Sequence, residues 1–323
     1  MDLTDEILNH SIRMATEIRA RAVLVCADVF PDEDALVRLL RREGAVPVVV
    51  ASRDLGPPSH VPEGVDWIRV PGVHLTRTGQ IKIAVLLGFS RGVFRQADRI
   101  VCLSGVAGSG MLDTILIVHA AEEFEIFAGA GTEDVSAHVN PEVFERVLGI
   151  ATSLGYEGRE GKPVGTAFVI GDSERVLALS RPIVLNPFHG YAEGVRNVLD
   201  PSLENTLKEF AAIDGAFVIR SDGVVEAAGV YLTAEARSEP LPRGLGARHN
   251  SAAGITAATD AVAITVSEST GTVTVFRMGR ILIEVERPRP IGTWTQREEG
   301  LFPGLREVDR RAAAETDWKA RDI

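Results

Sequence analysis

Cysteine is scarce in this chain, with only Cys26 and Cys102 among 323 residues. Each lies in an apolar run and neither belongs to a CxxC pair, so the spacing indicates two buried, reduced thiols rather than a cysteine-based metal site.

Long hydrophobic runs are also missing. The longest, IAVLLGF after Lys82, is far shorter than the ~20 residues that span a bilayer, and the acidic start MDLTDEILNH lacks the apolar core of a signal peptide. We therefore expect a cytoplasmic protein with no membrane contact.

The chain also lacks an excess of positive charge. Lys and Arg number 34 against 45 Asp and Glu, which leaves a formal net charge of −11 and argues against nucleic acid as a partner. A P-loop is missing too. The segment GREGKP at 158–163 contains a Gly-Lys pair but not the GxxxxGK[ST] spacing, so a nucleotide would have to bind in another way.

What is present describes a globular α/β protein, with 45% hydrophobic and 24% charged residues. Apolar strands alternate with helices through the first part of the chain and predict a three-layer, mostly parallel sheet. Later segments predict a mixed-sheet α/β domain that ends in a hairpin through Gly279-Arg280. We expect domains at residues 1–132 and 133–286, followed by a charged tail at 287–323.

Two polar segments stand out within the second domain. Asp214-Gly215-Ala216 comes directly before an apolar strand, and Gly246–Ser251 opens an Ala-rich stretch with the helical pattern. A helix start exposes unpaired N–H groups that suit phosphate, and a carboxylate can hold a divalent metal. Together they predict metal-assisted nucleotide chemistry.

The same segments carry a family resemblance. From about Gly158 to Glu286 the chain resembles a diadenylate cyclase domain, through GKPVGTAFVIGD at 161–172, the NPF at 186–188, the DGA at 214–216, GARHNSAA at 246–253 and VSES at 266–269. The chain is most similar to the archaeal type of this family. In that type, the cyclase domain follows a domain that resembles the C-terminal domain of pyruvate kinase. The resemblance implies a nucleotidyltransferase that condenses two ATP into cyclic di-AMP.

Roles for individual residues follow from the resemblance. Asp214, Arg248 and His249 would be catalytic, and Asp214 and Glu268 would hold Mn²⁺ or Mg²⁺. The family usually has Arg-His-Arg where this chain has Arg248-His249-Asn250, and many members have Thr in place of Ala247. The remaining nucleotide-binding positions would be Gly215, Ala216, Gly229, Leu232, Ala247, Asn250, Ser251 and Ser267.

The residues taken alone leave plainer interpretations open. Asp214-Gly215 is also a common turn, and Glu268 in SESTG could be a solvated strand-end residue. Leu232 could belong to the core, and His249 could pack or cap locally. A catalytically weak receptor for a nucleotide or for cyclic di-AMP is the alternative function. If the enzyme interpretation holds, the symmetric product implies that two protomers must face each other, so self-association is expected.

Overall fold

A computed structural model describes residues 3–31, 33–40, 46–53, 64–95, 97–119, 139–234 and 245–288. The expected tail at 287–323 therefore lies almost wholly outside the described residues. Both sheets of the fold belong to one unit, Met1–Arg287. No helix in the described part of the chain is long and apolar enough to cross a bilayer.

The N-terminal sheet is mostly parallel, as predicted. Its strands are β1 (Ala22–Cys26), β2 (Val48–Ser52), β3 (Asp66–Arg69), β4 (Arg99–Gly105) and β5 (Leu112–His119), and their order is β3-β2-β1-β4-β5. The first four run parallel and β5 pairs antiparallel with β4. Its helices are α1 (Leu3–Glu17), α2 (Glu33–Leu40) and α3 (Arg77–Ser90). Every residue of β1 is buried, which explains why that strand has a continuous apolar sequence.

The second sheet is mixed, also as predicted. Its strands are β6 (Thr166–Ile170), β7 (Ser180–Pro182), β8 (Ala216–Ile219), β9 (Val225–Leu232), β10 (Val262–Val266), β11 (Val273–Arg277) and β12 (Arg280–Val285). They lie in the order β12-β11-β10-β6-β8-β9-β7, and only β6 and β8 pair in parallel. The helices are α4 (Pro141–Glu157), α5 (Ser173–Ala178), α6 (Glu204–Phe210) and α7 (Ala247–Ala258).

The final hairpin turns one residue earlier than the sequence suggests. Met278 and Gly279 both have positive φ, and Arg280 already belongs to β12 and pairs with Arg277. A two-residue turn with positive φ at both positions matches the twist of the strands it joins.

The two faces of the second sheet carry side chains of different size. Phe168 and Phe217 stack at 4.9 Å in the cluster that includes α4, whereas Ala167 and Ala216 belong to the cluster that includes α7. Small residues on that face let α7 lie close to the strands. The start of α7 is thereby held near the strand ends.

The N-terminal domain also contacts the second sheet directly. Helix α3 packs on β12 and α4, and Lys82 Nζ donates to the Glu284 carbonyl at 3.3 Å. Arg91 on the same side forms an ion pair with Glu145 of α4. These contacts join the two domains beside the strand that carries Glu284.

Candidate active site

Strand register brings three polar segments to one edge of the second sheet. Ala167 of β6 lies opposite Ala216 of β8, and Thr166 lies opposite Val266 of the antiparallel β10. The start of β6, the start of β8 and the end of β10 therefore meet. Asp214 precedes β8 and Glu268 follows β10, so both carboxylates stand at this edge.

Arg248 lies between the two carboxylates. Its Nη2 is 3.0 Å from Asp214 Oδ1 and its Nη1 is 3.4 Å from Glu268 Oε2. Both acid side chains are exposed, and Gly246, the residue before α7, provides no side-chain cap for the helix. The positive end of the α7 dipole and the guanidinium thus add positive character beside two carboxylates. The sequence predicted these three side chains, and the structure brings them together.

Gly165 makes room for this arrangement. A Cβ built on Gly165 would lie 2.7 Å from Arg248 Nη1 and 2.8 Å from Glu268 Cβ. Both distances are shorter than a normal contact, so a side chain here would displace Arg248 or the Glu268 segment. The second glycine of the motif GKPVGTAF, Gly165, is therefore required because no side chain fits at this position.

A cleft of about 860 Å³ opens over these residues. Its walls include Asp214, Ala247, Arg248, His249, Ser267 and Glu268. They also include residues in or next to β11 and β12 that the sequence analysis did not select: Thr272, Thr274, Glu284 and Glu286. Thr274 is fully buried, and its hydroxyl has no hydrogen-bond partner within the described ranges. The sequence offered one signal for these residues, the alternation of Thr272 and Thr274 with apolar residues, which is typical of a strand. The alternation alone does not say that β11 and β12 pair beside Asp214.

His249 forms part of the cleft wall but is largely buried. Its ring meets Phe276 edge to face with centroids 6.0 Å apart, and burial, helped by the charge of Arg248, lowers the pKa of the imidazole. The ring is therefore neutral at ordinary pH and can donate one hydrogen bond. His249 thus both packs locally and borders the cleft.

Six of the expected nucleotide-binding residues do not line this cleft. They are Gly215, Ala216, Gly229, Leu232, Asn250 and Ser251. Leu232 is a core residue that pairs with Ser180, and the Asn250 amide donates to the Gly246 carbonyl at 3.3 Å. Ser267 does line the cleft, and its hydroxyl lies 3.3 Å from that of Ser269.

The donor set suits a hard divalent cation that is shared with a nucleotide. No group of three or more acidic, histidine or cysteine residues that could hold a metal occurs among the described residues. Mg²⁺ is usually bound by one or two carboxylates together with substrate phosphates and water, and Mn²⁺ also prefers oxygen ligands. Asp214 and Glu268 provide two exposed carboxylates of this kind.

Comparison with known proteins matches both parts of the chain to families. Residues 153–281 match the family described as DisA bacterial checkpoint controller nucleotide-binding, and residues 3–127 match one described as probable sensor domain DacZ_P. A diadenylate cyclase of Methanocaldococcus jannaschii is 28% identical over 299 residues, which cover 87% of this chain and 96% of that protein. A diadenylate cyclase of Haloferax volcanii is 34% identical over 249 residues, covering 76% of this chain and 87% of that protein.

The fold is therefore that of an α/β protein in which residues 3–127 and 153–281 match two different families, the second of them nucleotide-binding. The chain belongs to the diadenylate cyclase family.

Proposed function

We propose that this protein condenses two ATP molecules into cyclic di-AMP and releases two pyrophosphates. The observation that carries the proposal is the Arg248 guanidinium held between Asp214 and Glu268 at the start of α7, inside a cleft of about 860 Å³. Membership of the diadenylate cyclase family supports the same reaction. In each half-reaction a ribose 3′-oxygen forms a bond to an α-phosphorus, and the bond from that phosphorus to the oxygen that bridges to the β-phosphate breaks. Pyrophosphate leaves with that oxygen, and the hydroxyl proton passes to water.

The residues of the cleft have distinct roles in this proposal. Asp214 and Glu268 would hold Mn²⁺ or Mg²⁺, which would neutralise phosphate charge and favour ionisation of the attacking hydroxyl. Arg248 binds phosphate oxygens through the N–H groups that its ion pairs leave available. His249 donates one hydrogen bond to phosphate as a neutral imidazole, and Ser267 adds a hydroxyl.

The symmetry of the product supports a pair of protomers. One cleft holds one set of Asp214, Arg248 and Glu268, whereas cyclic di-AMP contains two equivalent phosphodiester bonds. Two clefts that face each other let each nucleotide supply both a nucleophile and an electrophile. A separated protomer should therefore bind ATP without turning it over.

The direct test is to incubate the protein with ATP and Mn²⁺ or Mg²⁺ and to measure cyclic di-AMP by mass spectrometry, with Asp214→Ala in parallel. Product from the natural chain and none from the variant is the expected result. Asp260→Ala is the matched control, because Asp260 is an exposed acid that pairs with Arg175 just before β10, away from the cleft. Near-normal turnover by Asp214→Ala would refute the assigned role of that residue.

The same experiment separates the receptor alternative. Absence of product with either metal, combined with tight binding of added cyclic di-AMP, would make the protein a receptor. Retention of both Asp214 and Glu268 favours the enzyme, because a receptor has no need of two metal-binding carboxylates.

A further inference from the structure

The active-site cleft is acidic for a site that would bind a triphosphate. Arg248 is the one Lys or Arg side chain that borders it within the described ranges. Four carboxylates border the same cleft, those of Asp214, Glu268, Glu284 and Glu286. A divalent cation on Asp214 and Glu268 would offset only part of this charge. The β- and γ-phosphates of a nucleotide would therefore need other basic groups close to the cleft.

A smaller recess adjoins the cleft on the side of Glu268. Its volume is about 90 Å³, and Asp214 does not border it. The recess and the cleft share one wall, which is formed by Pro163, Ser267, Glu268 and Ser269. Lys162 and Arg287 line the recess, and neither forms an ion pair with any residue that the structure describes. We call this space the basic recess.

Lys162 is held on a tight hairpin that follows α4. The Arg159 N–H donates to the Lys162 carbonyl at 2.9 Å, and the Lys162 N–H donates to the Arg159 carbonyl at 2.8 Å. Glu160 and Gly161 between them both have positive φ, as is usual in a two-residue hairpin turn. A Cβ on Gly158 would clash with the Lys162 carbonyl, so the hairpin lies directly against the end of the helix. The backbone of Lys162 therefore has a fixed place beside the basic recess.

Arg287 is held over the floor of the basic recess. Its guanidinium carbon lies 5.8 Å from the centroid of the Tyr156 ring, within the range of a cation–π contact. A Cβ on Gly271 would lie 2.9 Å from Arg287 Cδ, so the stem of the arginine crosses this glycine. A Cβ on Gly155 would clash with the Gly271 carbonyl, so the end of α4 and the β10–β11 turn touch through bare backbone. The two glycines leave this floor without side chains.

The other acid beside the basic recess is already engaged. Glu157 lines the recess, but its Oε2 accepts a hydrogen bond from Ser153 Oγ at 3.1 Å and lies 3.9 Å from Lys208 Nζ. The positive charges of Lys162 and Arg287 therefore remain available to an anion.

The size of the basic recess says what part of a ligand it suits. Its volume of about 90 Å³ is well below the roughly 300–1,000 Å³ of a complete small-molecule site. It therefore suits one end of a ligand whose remainder lies in the adjoining cleft. Two basic side chains with no carboxylate partner indicate that this end is anionic.

We propose that Lys162 and Arg287 bind the terminal phosphates of ATP in the basic recess and hold the pyrophosphate as it leaves. The inference rests on the proposed function, because that reaction places the α-phosphate beside Arg248 and releases the other two as pyrophosphate. The shared wall, which includes Ser267 and Glu268, lies between these two groups of basic side chains.

Lys162→Met and Arg287→Met test the proposal, because methionine keeps an unbranched apolar stem and removes the charge. Arg181→Met is the matched control. The guanidinium carbon of Arg181 lies 4.8 Å from the centroid of the Tyr231 ring, a contact like that of Arg287, but on β7 at the opposite edge of the sheet from β12.

The probes are 3′-deoxy-ATP, which lacks the attacking hydroxyl and cannot condense, and 3′-deoxy-AMP, which also lacks the two terminal phosphates. Calorimetry with Mg²⁺ on the full chain gives both dissociation constants. Each substitution should weaken binding of 3′-deoxy-ATP about tenfold, the usual scale of one charge-assisted hydrogen bond. Binding of 3′-deoxy-AMP should change by less than about twofold, since it does not reach the basic recess. Arg181→Met should match the natural chain with both probes.

A purely structural role gives a different result. Lys162 and Arg287 also lie beside the C-terminal end of α4, where positive charge stabilises a helix without any ligand. Lower stability in urea together with unchanged binding of 3′-deoxy-ATP would assign them that role and overturn the proposal. An equal loss of affinity for both probes would overturn it too.

The outcomes for the basic recess and for the reaction are separable. If the natural chain forms no cyclic di-AMP but both variants selectively lose 3′-deoxy-ATP, the basic recess stands and the proposed reaction fails. If the natural chain forms cyclic di-AMP and both variants bind 3′-deoxy-ATP normally, the reaction stands and the basic recess has no part in it.

Discussion

Arg248 Nη2 donates to Asp214 Oδ1 at 3.0 Å, and the same guanidinium reaches Glu268 through Nη1 at 3.4 Å. One cation therefore offsets the repulsion between two carboxylates that strand register brings to the same edge. In the proposed function, Asp214 and Glu268 would hold a divalent cation, and the guanidinium of Arg248 would then be free to bind phosphate.

The first prediction concerns Arg248→Lys. An ammonium keeps the charge but cannot bridge two carboxylates in a planar fork, so kcat/KM should fall about 100-fold. Arg175→Lys is the control, because Arg175 also lies near two carboxylates, Asp172 at 3.6 Å and Asp260 at 3.9 Å, at the opposite end of the strands. Equal effects of the two substitutions in steady-state kinetics would contradict the role of Arg248.

The second prediction concerns Gly165→Ala. The added methyl would lie 2.7 Å from Arg248 Nη1, so the guanidinium must move and turnover should fall about tenfold or more. Urea unfolding should show a loss of about 1–3 kcal/mol, as expected for overpacking. A Cβ on Gly194 would meet nothing within 4 Å, so Gly194→Ala should preserve turnover. A Gly165→Ala variant with full turnover would show that the position of Arg248 does not matter.

The third prediction concerns the metal. Glu268→Gln keeps the shape of the side chain but removes one charged oxygen ligand, so the Mn²⁺ concentration for half-maximal turnover should rise on the order of tenfold. The measurement is a metal titration at saturating ATP. Glu174→Gln, at an exposed acid in the first turn of α5, should give the natural titration curve. An unchanged curve for Glu268→Gln would remove this residue from the metal site.

The family resemblance selected the candidate residues, and local sequence signals could place each of them on an element of the fold. Asp214 precedes an apolar strand, Arg248 opens a helix and Glu268 ends a strand, so each side chain could be placed on an element. The contact between them depends on the antiparallel pairing of Thr166 with Val266. That pairing is a long-range choice which periodicity alone does not specify.

The residues that were missed lie where tertiary packing decides exposure. Thr274 and Glu284 are cross-strand neighbours in β11 and β12, and their side of the hairpin borders the cleft only because β11 lies next to β10. Leu185 reads as an ordinary apolar residue before the NPF motif, yet it is 96% exposed. Sequence hydrophobicity cannot distinguish a core leucine from one held on a surface.

The fourth prediction concerns Asn250, where the family usually has Arg. Its side chain does not line the cleft, and its amide donates to the Gly246 carbonyl within the first turn of α7. Asn250→Arg should therefore change the KM for ATP by no more than about twofold, because exposed charges are screened by solvent. Arg248→Asn, the reverse exchange two residues earlier, should raise it far more. A large decrease in KM with Asn250→Arg would show that this position does reach the nucleotide.

The fifth prediction concerns the pH dependence of stability. Burial lowers the pKa of His249 in the folded protein below the ordinary value of 6.5. Well above the ordinary value of 6.5 the imidazole is neutral in both states, so it adds no pH dependence there. As the pH falls below 6.5 the unfolded chain binds the proton first, and the free energy of unfolding decreases until the pH is below the folded pKa.

The free energy of unfolding in urea, measured at several pH values from about 7.5 to about 5, checks the direction of this change. The range spans the ordinary pKa of histidine. His249→Phe should lose less stability over that range than the natural chain, because the phenyl ring can pack on Phe276 but has no proton to gain. An identical pH dependence in His249→Phe and the natural chain would show that the pKa of His249 is the same in the folded and the unfolded protein, and would contradict its lowering by burial.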